Sequence, residues 1–380
     1  MTIIFKDPEH AGKTGTHVLL VGASEYPHFP ERTPTNSKGR LTSAELGAKA
    51  MAKWFLTDFY NPEKPLISMR ALFSNPDVDF CIPSGTSILP PTWGNFKAAY
   101  DEWFEEATNV PGSTLVFYFG GHGIASATFQ ALLLDDFHQD PNNSMEGAVD
   151  FNNLKITVGA KSGANDVWYF IDTCRYSNAR QAAGQSTGRL VYANYFDLEP
   201  GAYETDIRST VLGGSAGGFA NSPSFFASAL IAALKNNAFD KQQNEWRANA
   251  TAISTAVQAQ LDKIYREANL TPKYVQRPQF TLANNKIIFH RLRHGLTPQM
   301  QVSLTCKNAS HNATHDLFWA IKRTAPKLRT ERNTATWEFS LPAADHKYQF
   351  GAIDDSNASH GVIKETINKP NSEILLDIGP

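Results

Sequence analysis

A histidine set among glycines, in FYFGGHG (117–123), and a cysteine closing VWYFIDTC (167–174) are the residues of this 380-residue chain best suited to covalent chemistry. A free thiol titrates near about 8.5 and is mostly protonated at neutral pH; an adjacent imidazole can take its proton and leave a nucleophilic thiolate. Both residues follow apolar runs that read as buried strands. In an open α/β sheet, reactive groups gather at the carboxyl ends of the strands. If these two strands are neighbours, about 4.8 Å apart, His122 and Cys174 meet just beyond them. The glycines around His122 leave backbone N–H groups accessible, so Gly123 and the Cys174 N–H are candidate donors to a developing oxyanion. Taken singly, the cysteine is as well explained as a small buried hydrophobe and the histidine as a turn residue. Their joint placement at strand ends, each followed by polar residues, favours chemistry.

The elements that must hold this pair alternate. THVLLVGASEY (16–26) reads as a strand, and a helix over 42–59 follows, with Leu46, Ala50, Trp54 and Phe55 at helical spacing. SMRALFS (68–74) reads as a strand and WGNFKAAYDEWFEEA (93–107) as a helix with Phe96, Tyr100, Trp103 and Phe104 on one face. Strands at 113–123, 167–174 and 208–218 and helices at 224–237 and 249–267 complete the set. Strands apolar on both faces and alternating with helices predict a mostly parallel sheet covered on both sides. After about Leu292 the pattern changes to short alternating runs separated by turn residues, which predicts a small antiparallel β domain, sandwich-like, with the boundary at Gly295–Pro298. The expected domains are therefore 1–295 and 296–380. The segment Tyr176–Arg208, rich in Gly, Ser, Asn and Ala, reads as an exposed loop.

The strand ending in His-Gly, followed by a strand ending in Asp-x-Cys, resembles the caspase-like cysteine peptidases: caspases, paracaspases and metacaspases. The separation, 174 − 122 = 52 residues, resembles the roughly 50 of caspases. IDTCRYS resembles the metacaspase Asp-x-Cys-x-Ser type, with Tyr176 intervening before Ser177, and QRPQF (276–280) fits the domain end of bacterial caspase-like proteins. The resemblance covers about residues 14–292. It implies a caspase-like α/β fold and a cysteine endopeptidase, with His122 as general base and acid and Cys174 as nucleophile. It also implies that Asp172, on the same side of its strand as Cys174, floors a pocket for an Arg or Lys side chain through a charge-assisted contact. Gly120 and Ser215, the latter in VLGGSAG (211–217), are expected beside the substrate. The chain departs from metacaspases in LTSAELGA (41–48), which lacks their Cys and Asp; Glu25 and Glu45 are the candidates for a second acid. Metacaspases often need calcium, for which the pair Asp135-Asp136 is the candidate. Otherwise no cofactor and no metal site is expected. Cleavage of the loop after Arg180 or Arg189 is the expected route of self-processing.

Two other readings stand beside this one. Gly213-Gly214-Ser215-Ala216-Gly217 matches the G-x-S-x-G elbow of α/β-hydrolases, with His290 or His294 to complete a serine esterase triad. The order of the glycines and the histidine in FYFGGHG, and the few elements downstream, count against it. A non-enzymatic scaffold on the same fold is the third. Composition narrows the partners: 42% hydrophobic and 19% charged residues with a formal charge of −2 give no reason to expect nucleic acid or a membrane surface. Nine basic residues face nine acidic ones over 297–380, so that domain reads as a docking site for a regulatory protein. The apolar run at the N-terminus is too short for a signal peptide, and no stretch approaches the roughly 20 apolar residues of a membrane span. Three cysteines, Cys81, Cys174 and Cys306, are odd in number and far apart, which favours a reducing compartment, the cytoplasm.

Overall fold

A computed structural model describes residues 2–28, 40–75, 88–125, 129–143, 145–161, 163–174, 202–210, 217–270, 276–282, 287–322, 324–333 and 335–378. The chain packs as two compact units, one of residues 1–231 and 261–287, the other of residues 232–260 and 288–380. The second unit thus draws in a stretch well before the Gly295–Pro298 boundary expected from the change of pattern.

The first unit is built on strands β1 (Ile3–Lys6), β2 (Thr16–Gly22), β3 (Leu66–Phe73) and β4 (Thr114–Gly121), with helices α1 (Thr42–Thr57) and α2 (Trp93–Asn109) between them. A small antiparallel sheet follows, β5 (Gly123–Ala125), β6 (Gln130–Leu133) and β7 (Ala148–Asp150), then helix α3 (Phe151–Lys161) and strand β8 (Asp166–Thr173). Strand β9 (Tyr203–Arg208) and helix α4 (Phe225–Ala232) come next, and β12 (Gln279–Thr281) closes the unit. The π-helical turn Ala233–Asn237 and the first part of helix α5 (Ala250–Glu267), up to residue 260, belong to the second unit, and the rest of α5 to the first. The main sheet has the order β1-β3-β2-β4-β8-β9-β12, parallel throughout except for its two antiparallel edge strands.

Every residue of β2, β4 and β8 is buried, which is why their apolar runs do not alternate. On one face Phe117 and Phe119 of β4 pack with Phe96 and Trp103 of α2 and Phe151 of α3. On the other face lies α1. Its buried side is a row of small residues, Ala44, Gly47, Ala48 and Ala52, with Met51 and Phe55; the expected Leu46 and Ala50 are only partly covered. The small residues let the helix settle against glycines of the sheet. A Cβ built on Gly120 would stand 2.7 Å from the Ala44 carbonyl oxygen, so only glycine fits there. The fifth parallel strand is Tyr203–Arg208 rather than 208–218; residues 211–216 lie outside the described residues, as do 175–200.

In the second unit a hairpin of β10 (Asp240–Gln242) and β11 (Glu245–Asn249) pairs with β13 (Ile288–Arg291). The C-terminal strands are β14 (Gln299–Cys306), β15 (Asp316–Ile321), β16 (Lys327–Leu328), β17 (Trp337–Pro342), β18 (Lys347–Ile353), β19 (Ser359–Thr366) and β20 (Asn371–Leu376). They form two sheets, β17-β14-β20 and β16-β15-β18-β19. These sheets are not wholly antiparallel as expected, because β14 and β20 run parallel. Trp319 of one sheet stacks on Phe339 of the other. Among the described residues, no helix is long and apolar enough to cross a membrane.

Candidate active site

Strands β4 and β8 are hydrogen-bonded parallel neighbours in a register that sets Gly120 opposite Asp172 and Gly121 opposite Thr173. His122 and Cys174 are the next residue on each strand. They therefore leave the sheet side by side, both partly exposed while nearly everything beneath them is buried. Cys174 carries a free thiol, as does the buried Cys306; Cys81 lies outside the described residues.

Several side chains fix the backbone at this edge. The Thr173 carbonyl, one residue before Cys174, accepts hydroxyls from Ser209 and Thr210, each at 3.1 Å. The Thr173 hydroxyl accepts from Gln130 Nε2 at 3.2 Å, and Gln130 Oε1 in turn accepts from Arg208 at 2.6 Å. Gly123 passes directly over the end of β8: a Cβ there would stand 2.7 Å from the Cys174 carbonyl oxygen and 2.8 Å from the Thr173 hydroxyl. Glycine is thus required at 123 for a close approach. Gly120, expected beside substrate, has its open side filled by α1 instead.

Asp172 points to the α1 face, as its register with Gly120 requires, and is 2% exposed. Its Oδ2 accepts the Ser224 hydroxyl and, at 3.4 Å, the Tyr118 hydroxyl. Ser224 also accepts the Ala227 N–H at 3.0 Å, so the same hydroxyl opens helix α4. Oδ1 is buried with no hydrogen-bond partner. Burial pushes the carboxyl up to about 6, against the hydrogen bonds from Ser224, Ser209 and Tyr118 that favour its charged form. A buried carboxylate oxygen without a partner is costly unless something cationic comes to it.

The two candidates for a second acid are occupied elsewhere. Glu45 is buried, accepts the Ser24 hydroxyl at 2.6 Å and the Asn75 amide at 3.0 Å, and pairs with Lys49 at 2.6 Å. Glu25 pairs with Arg40 at 2.7 Å. The acidic pair in the turn does not fit calcium either. Asp136 accepts the Trp93 N–H at 2.9 Å at the start of α2. Asp135 is buried, accepts the Ser74 hydroxyl at 2.8 Å, and is pushed up to about 7 by that burial. A hard divalent cation needs several charged oxygens turned toward one point, and among the described residues no group of three or more His, Cys, Asp or Glu is placed to hold a metal ion. For the esterase alternative, Ser215 lies outside the described residues, and His290 is buried in the second unit against the Phe239 ring.

Sequence reasoning missed Tyr26, whose hydroxyl accepts the His122 N–H at 2.8 Å. It also missed Ser224 and Tyr118 on Asp172, and Gln130 on Thr173. None of these has a motif; each meets its partner only through the fold.

Comparison with known proteins finds partial likenesses and one family match. The uncharacterized protein y4kE of Sinorhizobium fredii is 34% identical over 145 residues, 33% of this chain and 40% of that protein. The chain therefore matches well under half of that relative's length. Among solved structures, protein GSU0716 of Geobacter sulfurreducens superposes with a TM-score of 0.41 at 14% identity, covering 71% of this chain and 92% of the other. Caspase-1 of Spodoptera frugiperda superposes with a TM-score of 0.43 at 11% identity, covering 71% and 88%. A family model, the caspase domain of peptidase family C14, matches residues 16–288. By that match over most of its length, the chain belongs to the caspase-domain family of peptidases.

Proposed function

We propose that this protein is a cysteine endopeptidase of metacaspase-like specificity, cutting peptide bonds after Arg or Lys with His122 and Cys174 as its dyad. The observation that carries the reading is the shared register of β4 and β8, which brings the two residues out of the sheet together at its carboxyl edge.

His122 takes the Sγ proton of Cys174 and the thiolate adds to the scissile carbonyl carbon. The negative charge that develops on the carbonyl oxygen is met by the backbone N–H groups of Gly123 and Cys174. His122 then gives its proton to the leaving amine, the C–N bond breaks and a thioester remains. Water, deprotonated by His122, adds to the thioester, and the released thiolate recovers the proton. Asp172 supplies the counter-charge for the basic side chain, its unpartnered Oδ1 accepting from the ammonium or guanidinium. Ser215, outside the described residues, is the further residue proposed to meet the substrate.

The scheme needs no cofactor. It places the protein in a reducing compartment, the cytoplasm, where the thiol stays free. Its substrate is a protein or peptide, and the C-terminal strands offer a docking site for a regulatory protein. Self-cleavage after Arg180 or Arg189, in the segment outside the described residues, is the proposed activating step. Incubating wild type beside Cys174→Ala, followed by intact mass spectrometry, tests that step: a wild-type chain that hydrolyses peptide at full mass refutes it.

A panel of fluorogenic peptides with Arg, Lys or Asp before the leaving group, with and without calcium, tests the function. Hydrolysis of the basic peptides alone, abolished in Cys174→Ala, is expected. Hydrolysis of the Asp peptide alone would refute the specificity, and no hydrolysis of any peptide would favour the scaffold reading.

A further inference from the structure

Tyr26 lies four residues beyond the end of β2, wholly buried, at a crossing of three backbone segments. Its hydroxyl accepts the His122 N–H at 2.8 Å and is within donating reach of the Ala23 and Leu133 carbonyls, each at 3.2 Å. Its ring lies against the imidazole, with centroids 4.7 Å apart at 57°. One side chain thus grips His122 twice, at the backbone nitrogen and at the ring.

The glycine before the histidine makes sense in the same terms. A Cβ on Gly121 would stand 2.7 Å from the Tyr26 hydroxyl oxygen and 2.8 Å from the Phe119 ring, so position 121 is kept bare where the tyrosine and Phe119 close on it. The segment that carries Tyr26 is itself tied down. The Ser24 N–H donates to the Ser74 hydroxyl at 2.7 Å, the Ser24 hydroxyl donates to Glu45, and the Ser24 carbonyl accepts from Leu41 N–H at 2.9 Å. Burial raises the phenol well above its usual range, so it stays an O–H donor to the carbonyls at any working pH.

We infer that Tyr26 is the positioning residue for His122, fixing the height and ring plane of the imidazole at the end of β4. This rests on the dyad proposed above. Tyr26 acts through the histidine, where a misplacement of about 1 Å can cost on the order of 100-fold in rate.

The test is Tyr26→Phe, which keeps the ring and removes the hydroxyl, measured against wild type and His122→Ala. Two readouts are taken per titrated active site: kcat and KM on a basic peptide, and the pH dependence of Cys174 alkylation by iodoacetamide. We expect kcat to fall about 100-fold with KM changed by less than about threefold, and the alkylation profile to move toward that of His122→Ala. A purely structural role would lower Tm and the fraction of active sites but leave both normalised readouts at wild type; that outcome overturns the inference. Gly121→Ala, whose methyl crowds the Tyr26 hydroxyl as well as the Phe119 ring, should give the same signature if Tyr26→Phe does not fold. If wild type cleaves no peptide, the endopeptidase reading fails while the alkylation profiles still decide the role of Tyr26. If His122→Ala alkylates as wild type does, the dyad is wrong and the inference falls with it.

Discussion

In the first packed unit, burial raises the carboxyls of Asp172 and Asp135 to about 6 and about 7. In the second, the hydrogen bonds of Arg332 to Asp316, and of Ser356 and His360 to Asp354, hold those carboxyls below their usual range. Depth alone does not explain the contrast. Glu106, in the first unit, also loses solvent, yet hydrogen bonds from His17, Arg70 and Ser68 hold it well below the usual value. What separates Asp172 and Asp135 from Glu106 is a fixed cationic partner, the Arg70 guanidinium. Around Asp172 the donors are hydroxyls, those of Ser224, Ser209 and Tyr118. An acid buried without a cation works against stability, so its presence at the carboxyl edge of the sheet is better explained by a ligand than by folding. The surface acids of the second unit, already paired, have no such opening.

The largest expected effect falls on the nucleophile. Cys174→Ala should abolish peptide hydrolysis, because no other group supplies the thioester, while Ser215→Ala should keep measurable activity. Both variants are assayed on the same basic peptide with iodoacetamide as a control. A dead serine variant beside an active, iodoacetamide-resistant cysteine variant would hand the chemistry to Ser215.

Next comes the charge itself. Asp172→Asn leaves an incoming cation buried without its counter-charge, which costs about 3–5 kcal/mol, or roughly two to four orders of magnitude in kcat/KM. Because Oδ2 already receives two hydroxyls and only Oδ1 is open, a bidentate guanidinium contact is denied. Arg and Lys peptides should therefore be turned over within about tenfold of each other. Equal rates for wild type and Asp172→Asn would remove Asp172 from the pocket; a preference for Arg far beyond tenfold would mean that Oδ2 is also available.

The parallel strands were legible because β2, β4 and β8 are covered on both faces and read as unbroken apolar runs. Strand β9 was not, since YETDIR is polar: Glu204 and Asp206 meet Lys155, and Arg208 meets Gln130. The apolar residues after it drew the expectation to 208–218. Strand β19 leaves no clear pattern for a related reason: none of its side chains is buried. The turn between β10 and β11 uses Gln243 and Asn244, both with positive φ, in place of the Asn-Gly or Asp-Gly that marks a hairpin. At the site, His122 and Cys174 could be read because each ends a strand. Tyr26 stands 96 residues from His122 and Ser224 stands 52 from Asp172. Contacts of that separation leave no local pattern.

A smaller effect follows from Asp135. A carboxyl whose folded-state value is raised binds its proton more tightly in the native protein. Its contribution to stability is therefore complete below its ordinary value near 3.8 and is lost as pH rises through about 7. For one group that corresponds to a loss of about 4 kcal/mol between acid and neutral pH, and Asp172 adds a loss in the same direction, ending near 6. Asp135→Asn keeps an oxygen for the Ser74 hydroxyl but cannot ionise, so its Tm should fall less than that of wild type between pH 4 and pH 8. Parallel melting curves for the two proteins across this range would mean that Asp135 is not the group responsible.

The smallest effect belongs to the second unit. Arg332 donates to Asp316 through Nε and Nη2, both at 2.8 Å, and to Asp355 through Nη1 at 2.6 Å, with about a third of its side chain exposed. Water and salt compete at such a site, so Arg332→Ala should cost less than about 1 kcal/mol, and less still at high ionic strength. The variant should hydrolyse peptide at the wild-type rate, since the partners of Arg332, Asp316 and Asp355, lie within the second unit. Urea unfolding at low and high salt, with kcat/KM measured on the same preparations, checks both halves. A loss of several kcal/mol would show that paired surface acids carry more of the stability than their exposure allows. A tenfold change in kcat/KM with stability intact would be more consequential. It would mean that charges in the second unit act on the chemistry of the first, and the division between an acid that waits for a ligand and acids already satisfied would no longer follow the division of the chain.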